Sequence, residues 1–387
     1  MIDPLDQQTT SLAGSSSFHR ANGGTDEITS RLPAFGLNDS QAGAIQSCVS
    51  AVQGNGASTT SGRFSLIWGP PGTGKTKTIS VLLLMLMTTA TSQSRYRVLT
   101  CAPTNTASSQ GASRLLALSK QHSAAAAGGL CHGDLLLFGN KDRMGIDGDL
   151  KEVFLDNRVK ILQKCFSPES GWRHGLSSLQ VFLSFPLALR CQYIQACIAL
   201  KDGTALPESS FVRSRFHDIC QKLSRCFQTI LSHVPKSVIL EKNYNNIILL
   251  TTMLENFRKL LSKNSAAGDE VLVGIFMKEK KPDGSDGGVV HSDLVRNLRQ
   301  SMTQILGVIS TLLRGLQLPA TTSPFKIKKF CLRSASLIFC TVSGSAKLYE
   351  QKMDLLLIDE AAQLKECATL VPLQVSGLKP AVLIGDE

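Results

Sequence analysis

The stretch Gly69-Pro70-Pro71-Gly72-Thr73-Gly74-Lys75-Thr76 decides the fold of this chain. The apolar residues 64–68 before it predict a buried strand, and the mostly apolar residues 76–87 after it predict a helix. In this order, a glycine-rich loop turns backbone N–H groups toward the α- and β-phosphates of a nucleoside triphosphate, at the positive end of the helix. We therefore predict an ATP site. The alternative is a glycine-rich turn before a core helix.

Two side chains at the end of this loop have distinct chemistry. We expect Lys75 to reach the β- and γ-phosphates. Thr76 would offer its hydroxyl to Mg²⁺, a hard cation that prefers oxygen ligands.

A second apolar run, residues 353–358, predicts a strand that ends at Asp359 and Glu360. Open parallel sheets bind ligands at the carboxyl ends of their strands. We expect Asp359 to hold Mg²⁺ through a water and Glu360 to orient and deprotonate the attacking water, with Gln363 close enough to sense that water or the γ-phosphate. The alternative is the solvated start of a helix, where acidic residues are also favoured.

Four segments together resemble the Q motif and motifs I, Ia and II of superfamily 1B helicases. They are Leu37-Asn38-Asp39-Ser40-Gln41, the phosphate loop, Ala102-Pro103-Thr104-Asn105-Thr106-Ala107 and Asp359-Glu360-Ala361-Ala362-Gln363. The group containing senataxin and the nonsense-mediated-decay helicase is similar, and residues 339–348 resemble its plant senataxin-like members. The resemblance covers residues 35–118 and 330–387, and Gly385-Asp386-Glu387 resembles the opening of motif III.

The resemblance implies roles for further residues. Gln41 would hydrogen-bond the adenine edge, because an amide both donates and accepts. Thr104 and Asn105, after a predicted strand at 97–102, would contact the nucleic-acid backbone, as would Thr341 after a predicted strand at 336–340. Ordinary turn chemistry is the alternative for all three.

Helicases of this family carry two RecA-like domains, and arginines of the second domain complete the ATP site. An arginine of this kind can raise the rate 10³- to 10⁵-fold. The matching segments of this chain belong to the first of these two domains only. We therefore expect the chain to bind ATP but to hydrolyse it slowly. The expectation is a partial helicase, or a fragment that acts with a separate second RecA-like domain or a protein partner.

The predicted fold is α/β, a RecA-like P-loop parallel sheet interrupted by a long, mainly helical insertion. Residues 1–30 are expected to be disordered, residues 31–118 and 332–387 to form the RecA-like domain, and residues 119–331 to form the insertion. Apolar residues at helical spacing predict helices at 177–200, 211–234, 246–262 and 291–318.

Positive charge is concentrated in the insertion. Residues 151–335 contain 26 Lys and Arg against 14 Asp and Glu, whereas the rest of the chain has 15 against 16. This favours a polyanionic partner, namely single-stranded RNA or DNA. Residues 278–281 and the cluster Lys326, Lys328 and Lys329 are the densest positions, with Phe325 and Phe330 beside the second. A solvated surface and ordinary core aromatics are the alternatives.

The remaining composition predicts an intracellular protein without a membrane segment. The eleven cysteines show no zinc spacing, so we expect a reducing compartment and no metal beyond Mg²⁺ bound with ATP. The polar N-terminus lacks a secretory signal. The nucleus or the cytoplasm is expected, with the basic residues 326–329 favouring the nucleus slightly.

Three functions compete at this point. The first is an ATP-dependent helicase-family protein that acts on RNA or DNA. The second is another P-loop NTPase, such as an AAA-type remodeller, which has no need of Gln41 or of the segment at 102–107. The third is a catalytically silent module that binds nucleotide and nucleic acid, which an assay of ATP hydrolysis with and without single strands would separate from the others.

Overall fold

The structure is a computed structural model that describes residues 28–53, 64–88, 96–122, 130–199, 206–262, 266–278 and 292–386. Most of the segment expected to be disordered, residues 1–30, lies outside the described residues. The same is true of Lys280, Lys281 and Glu387.

Six parallel strands form one sheet in the order β1-β6-β5-β2-β4-β3. They are β1 (Phe64–Trp68), β2 (Val98–Ala102), β3 (Leu135–Leu137), β4 (Leu337–Thr341), β5 (Leu355–Ile358) and β6 (Ala381–Gly385). Because all six run in the same direction, their carboxyl ends meet at one edge of the sheet. Along that edge the chain continues, in strand order, into the phosphate loop, Asp386, Asp359, Pro103, Val342 and Phe138.

The helices of at least eight residues in the described ranges fall into two groups. The first group comprises α1 (Asp39–Gln53), α2 (Lys75–Thr88) and α3 (Asn105–His122). The second comprises α4 (Leu155–Cys165), α5 (Trp172–Ser184), α6 (Pro186–Ala199), α7 (Glu208–His233), α8 (Glu241–Leu261), α9 (Ala266–Phe276), α10 (Ser292–Gly315) and α11 (Pro324–Ser334), followed by α12 (Glu366–Leu373) near the end of the sheet. Shorter helical turns lie at Leu32–Phe35, His132–Asp134, Lys141–Met144, Leu150–Val153, Lys236–Ile239, Ser343–Leu348 and Ala361–Gln363.

The two faces of the sheet pack against different groups of helices. Side chains alternate along a strand, so Leu337 and Phe339 of β4 face one side while Ile338 and Cys340 face the other. The first pair belongs to an apolar core formed with α1, α2 and α3. The second pair belongs to a core that continues without interruption into the helices of the insertion.

The insertion is built from amphipathic helices. In α7, a buried stripe repeats at three- and four-residue spacing and consists of Val212, Phe216, Ile219, Leu223, Phe227 and Ile230. This spacing places all six side chains on one face of the helix, toward the core.

The α/β class with a RecA-like parallel sheet and mostly helical additional content is confirmed. The sequence also predicts a short strand at 134–138, and β3 lies there; it pairs with β4, so this part of residues 119–331 supplies an edge strand of the sheet. One helix differs from expectation. The single helix expected at 177–200 is divided into α5 and α6, which meet at Phe185 with a bend of 102°. Pro186 explains the break, because proline has no N–H and disfavours helical backbone at the residue before it.

In the described ranges, no helix taken singly is long and apolar enough to span a membrane. The bent pair α5 and α6, taken together, has the length and the apolar composition of such a span.

Candidate functional site

The phosphate loop between β1 and α2 depends on two glycines with left-handed backbone. Gly72 has φ +83° and Gly74 has φ +82°, a conformation that side chains with a Cβ rarely adopt. A Cβ on Gly74 would lie 2.7 Å from Nε2 of Gln41. Only glycine fits this turn without strain, and the turn brings the chain directly into the first residue of α2, Lys75.

Gln41 fastens the start of α1 to the phosphate loop. Its amide nitrogen donates to the carbonyl oxygen of Thr73 at 2.9 Å. The backbone of Asn38 donates to Gln41 Oε1 at 3.1 Å, and the Gln41 backbone donates to Asn38 Oδ1 at 2.8 Å. The residue predicted to contact adenine therefore lies against the loop that would hold the phosphates.

Lys75 points back into the loop. Its ammonium group donates to the carbonyl oxygens of Gly69 at 2.6 Å and Pro70 at 3.0 Å, and it forms an ion pair with Asp386. Phosphate oxygens are acceptors of the same kind, so the lysine is already oriented toward the position where they would bind. Thr76 follows in the first turn of α2, where its side chain is half-buried.

The predicted acidic pair follows β5 at the same edge of the sheet. The backbone N–H of Asp359 donates to the carbonyl of Cys101 at 2.9 Å, which ties the turn to β2. The backbone N–H of Glu360 donates to Asp359 Oδ1 at 3.0 Å. Glu360 itself has φ 54° and ψ 39°, a left-handed conformation that costs a residue with a Cβ about 1–2 kcal/mol. Strained backbone of this kind concentrates at functional sites.

The surroundings of Asp359 disfavour its ionised form. Burial raises the pKa of this carboxyl group, and the neighbouring Glu360 carboxylate raises it further. The backbone N–H of Glu360 and the positive charges of Arg114 and Lys75 act in the opposite direction. A divalent cation at this position would favour the ionised carboxylate, as expected for a ligand of Mg²⁺.

Strand β6 brings the phosphate loop and the acidic turn together. The backbone N–H of Gly69 donates to the carbonyl of Gly385 at 3.3 Å. A Cβ on Gly385 would lie 2.9 Å from the backbone nitrogen of Ala362. Both segments thus contact the last residue of the same strand. Gln363 lies in the short helical turn after Glu360, with its side chain exposed.

These residues fit Mg²⁺ and ATP. The two left-handed glycines allow the loop to curve, and an ammonium group and a helix N-terminus lie at its end. Thr76 and Asp359 are the oxygen donors that would hold Mg²⁺.

Sequence reasoning gave no role in the site to two charged residues. Asp386 belongs to the segment that resembles motif III, but it pairs with Lys75 because β6 inserts between β1 and β5, and no local pattern reveals this strand order. Arg114 lies on α3 and, with Gly72, Gly74 and Thr76, lines a pocket of about 540 Å³ beside the loop. The sequence feature that could have identified Arg114 as a site residue is its position nine residues after Asn105, on the helix that follows β2.

The three small polar residues predicted to contact nucleic acid have local partners. Thr104 is exposed, and its hydroxyl accepts from the backbone N–H of Ala107 at 3.1 Å, as a helix cap does. Asn105 is half-buried at the start of α3. Thr341 is 8% exposed, and its hydroxyl accepts from the backbone N–H of Gly344 at 3.0 Å, which is the turn chemistry given as its alternative.

The three lysines of α11 face different directions. Lys326 and Lys329 line a pocket of about 400 Å³ together with Arg333. Lys328 turns away from them, with its Nζ atom 4.0 Å from Asp156 Oδ1 and 5.6 Å from the centre of the Phe138 ring.

The two aromatic residues beside this cluster differ as well. Phe330 packs edge-on against Phe166, with 5.4 Å between ring centres, and is a core contact. Phe325 is 75% exposed and free to meet a ligand.

Comparison with known protein families gives a match over most of the chain. The family described as AAA domain matches residues 36–387, which is most of the chain. This domain is found in superfamily 1 helicases of the senataxin-like kind, and it is a helicase-type P-loop NTPase domain. No curated protein matches the chain.

Proposed function

We propose that this chain, which belongs to the AAA domain family, is the ATP-binding first motor domain of a superfamily 1 helicase of the senataxin-like, plant-type group. One observation carries the proposal: the phosphate loop and the turn at Asp359 both contact the end of β6. This arrangement supports a single site that contains both a phosphate cradle and a carboxylate pair. ATP hydrolysis would then be coupled to the binding of a single nucleic-acid strand.

Each residue of the site has a proposed task. When bound, Mg²⁺ neutralises charge that develops on the phosphate oxygens. Thr76 and Asp359 would hold the cation, and Lys75 would exchange its contacts with the Gly69 and Pro70 carbonyls and with Asp386 for contacts with phosphate oxygens. Glu360 orients the attacking water and accepts its proton, and Gln363 senses that water or the γ-phosphate.

The strand would follow the carboxyl edge of the sheet. Thr104 and Asn105 lie there after β2, and small polar groups at strand ends suit contacts to phosphate and sugar. The proposal extends to the cationic residues Lys326, Lys328 and Lys329 on α11, and it locates the protein in the nucleus or cytoplasm. It assigns Thr341 a smaller contribution to strand binding than Thr104 and Asn105, because the Thr341 hydroxyl already accepts a hydrogen bond within a turn.

We further propose that rapid turnover needs an arginine from a second RecA-like domain or from a partner. Arg114 is the arginine that lines the pocket beside the loop in the described part of the chain. Such helicases resemble one another in completing the site with arginines from the second domain. Rapid ATP hydrolysis by this chain alone, stimulated by single-stranded RNA, would contradict this second proposal.

Two substitutions test the ATP site. Lys75→Ala should abolish binding of a fluorescent ATP analogue with Mg²⁺, because the variant loses the ammonium group in the loop. Glu360→Gln should keep that affinity and stop turnover, because an amide cannot accept the proton. Lys141→Ala and Glu350→Gln, which change exposed residues outside the site, are the matched controls.

The outcomes separate the competing functions. Tight nucleotide binding by Lys75→Ala would overturn the assignment of the loop. Equal turnover by Glu360→Gln and the unmodified chain would remove Glu360 as the base. Nucleotide binding with no hydrolysis under any condition, even with single strands present, would instead support the silent binding module.

A further inference from the structure

The insertion contains a groove that the ATP site and the α11 lysines do not include. It has a volume of about 910 Å³ and lies among α4, α5 and α7. Its lining includes five cationic side chains, a single carboxylate from Glu169, and apolar residues at its floor such as Ile161 and Ile219. The cations are Lys160 and Lys164 from α4 and Arg215, Lys222 and Arg225 from α7.

The cations are arranged in two facing rows. Lys160 and Lys164 are one helical turn apart, so both project from the same face of α4. Lys222 and Arg225 are three residues apart on α7. These four side chains are exposed, and none of them forms an ion pair within the described residues. Arg215 is partly engaged, since its Nε donates to Gln192 at 3.0 Å.

The length of the groove excludes a small anion as its natural occupant. Its lining extends along α7 from Arg215 to Thr229, which at 1.5 Å per residue is about 21 Å. A free phosphate or a single nucleotide would occupy a fraction of that distance. A polyanionic chain of several units would occupy all of it, with charge at the rim and apolar surface on the floor.

The first turn of α4, which leads to the groove, lies close to the carboxyl edge of the sheet. Phe154, just before α4, bridges to Leu137 at the end of β3. Lys328 lies beside this junction, near both Phe138 and Asp156. Lys160 is one turn beyond Asp156 on α4, and Lys164 is one turn further. Lys328, which pairs with Asp156, is thus followed by Lys160 and Lys164 along the face of α4 that leads from the end of β3 to the groove.

We propose that this groove, between α4 and α7, binds single-stranded nucleic acid and extends the strand path beyond the edge of the sheet. The proposal rests on the proposed function, because it assumes that a strand follows the carboxyl edge. The phosphates contact Lys160, Lys164, Lys222 and Arg225, and the bases lie on the apolar floor. Such contacts are sequence-independent and weaken with salt.

The test uses the full chain and a fluorescein-labelled oligouridylate, with affinity measured by anisotropy over a range of salt concentrations. The variant Lys160→Glu/Lys164→Glu should bind about tenfold more weakly, or worse, at low salt. The slope of log affinity against log salt should decrease by about 1.4, because two contacts of about 0.7 each are lost on a single strand. Lys222→Glu/Arg225→Glu should behave in the same way.

The matched control is Lys242→Glu/Lys259→Glu, which makes the same charge change at exposed positions of α8, outside the groove. It should bind the strand close to the unmodified affinity. As a measurement without substitution, ultraviolet crosslinking of a thiouridine-labelled strand to the unmodified chain should modify peptides of α4 and α7.

Each remaining outcome is decisive. Groove variants that bind like the control, or crosslinks confined to other faces, would overturn the groove while leaving the proposed function intact. Displacement of the strand by polyglutamate at equal charge concentration would assign the groove to an acidic protein instead. If the unmodified chain bound Mg-ATP but no strand at all, the nucleic-acid part of the proposed function would fail, and this inference with it.

Discussion

At the scale of single residues, the two left-handed glycines of the phosphate loop allow backbone strain to be tested separately from steric contact with a neighbour. Gly72 and Gly74 both have left-handed backbone, but only Gly74 lies against a neighbour. A Cβ at Gly72 would meet nothing within 4 Å, whereas one at Gly74 would lie 2.7 Å from the Gln41 amide nitrogen. Substitution at Gly72 therefore reports backbone strain alone. Substitution at Gly74 adds the displacement of Gln41 from Thr73.

We expect Gly74→Ala to weaken Mg-ATP binding more than Gly72→Ala does. The strain of a left-handed residue with a Cβ costs about 1–2 kcal/mol, which corresponds to roughly tenfold in affinity when the loop relaxes away from its binding conformation. Titration with a fluorescent ATP analogue measures this loss. Gly43→Ala in α1 is the control, because its Cβ would meet nothing within 4 Å. Equal affinities for all three variants would show that the observed loop conformation is not the one that binds ATP.

The residues of the candidate site differ in how far the sequence could predict them. The phosphate loop was predictable because its glycines, lysine and threonine are consecutive and their spacing alone states the chemistry. Asp359 was predictable because it ends an apolar run. Asp386 and Arg114 were not assigned to the site, since they reach it only through the order of strands in the sheet and the packing of α3 against α2.

At the scale of elements, a buried polar cluster joins the insertion to the sheet. Arg158 of α4 is 1% exposed, and its guanidinium donates to the carbonyl of Leu135 at 2.7 Å and to that of His132. His233, at the end of α7, is nearly as buried, and its Nε2 lies 3.3 Å from Glu152 Oε2. These contacts hold α4, α7 and β3 at fixed positions.

This cluster makes the stability of the chain depend on pH. Burial, together with the positive charges of Arg158 and His132, lowers the pKa of His233 to about 4, although the contact with Glu152 acts in the opposite direction. In the unfolded chain the pKa is 6.5. The unfolded state therefore binds more protons between these values. The stabilising contribution is fully present above pH 6.5, and it declines as the pH falls toward 4.

We expect the free energy of unfolding to fall by about 2 kcal/mol between pH 7 and pH 5 on account of His233. Urea denaturation at a series of pH values measures it. His233→Gln should flatten this dependence, whereas His217→Gln, an exposed position on the same helix, should leave it unchanged. The same pH slope in both variants would show that His233 is not the titrating group.

The helix boundaries show which structural features a periodic sequence pattern does not predict. The helix expected at 211–234 and the observed α7 nearly coincide, because one apolar stripe runs its whole length. The helix expected at 177–200 is two helices, because the apolar spacing continues across Pro186 while the backbone cannot. Periodicity reports which residues face a core, and it does not report where hydrogen bonding between turns is interrupted.

At the scale of the whole molecule, the insertion and the sheet share one apolar core. Leu99, Ile338 and Leu356 of the sheet belong to the same buried cluster as Trp172 and Phe227 of the insertion. Unfolding of the sheet would expose apolar side chains of the insertion helices to water. Unfolding of those helices would in turn expose the apolar side chains on that face of the sheet. We therefore expect one cooperative unfolding transition, in which a ligand at the phosphate loop also stabilises the insertion.

The two tryptophans make this expectation measurable. Trp68 ends β1 next to the phosphate loop and is 65% exposed, whereas Trp172 is 1% exposed in the insertion core. In Trp68→Phe, a substitution at an exposed position, Trp172 is the only tryptophan and reports on the insertion alone. Mg-ATP at a hundred times its dissociation constant stabilises the folded state by about 2.7 kcal/mol. The thermal transition of Trp172 fluorescence should therefore rise by a few degrees and coincide with that of far-ultraviolet circular dichroism. Adding Lys75→Ala should remove the shift. A Trp172 transition that ignores Mg-ATP while the rest of the chain responds would mean that the insertion unfolds independently of the sheet.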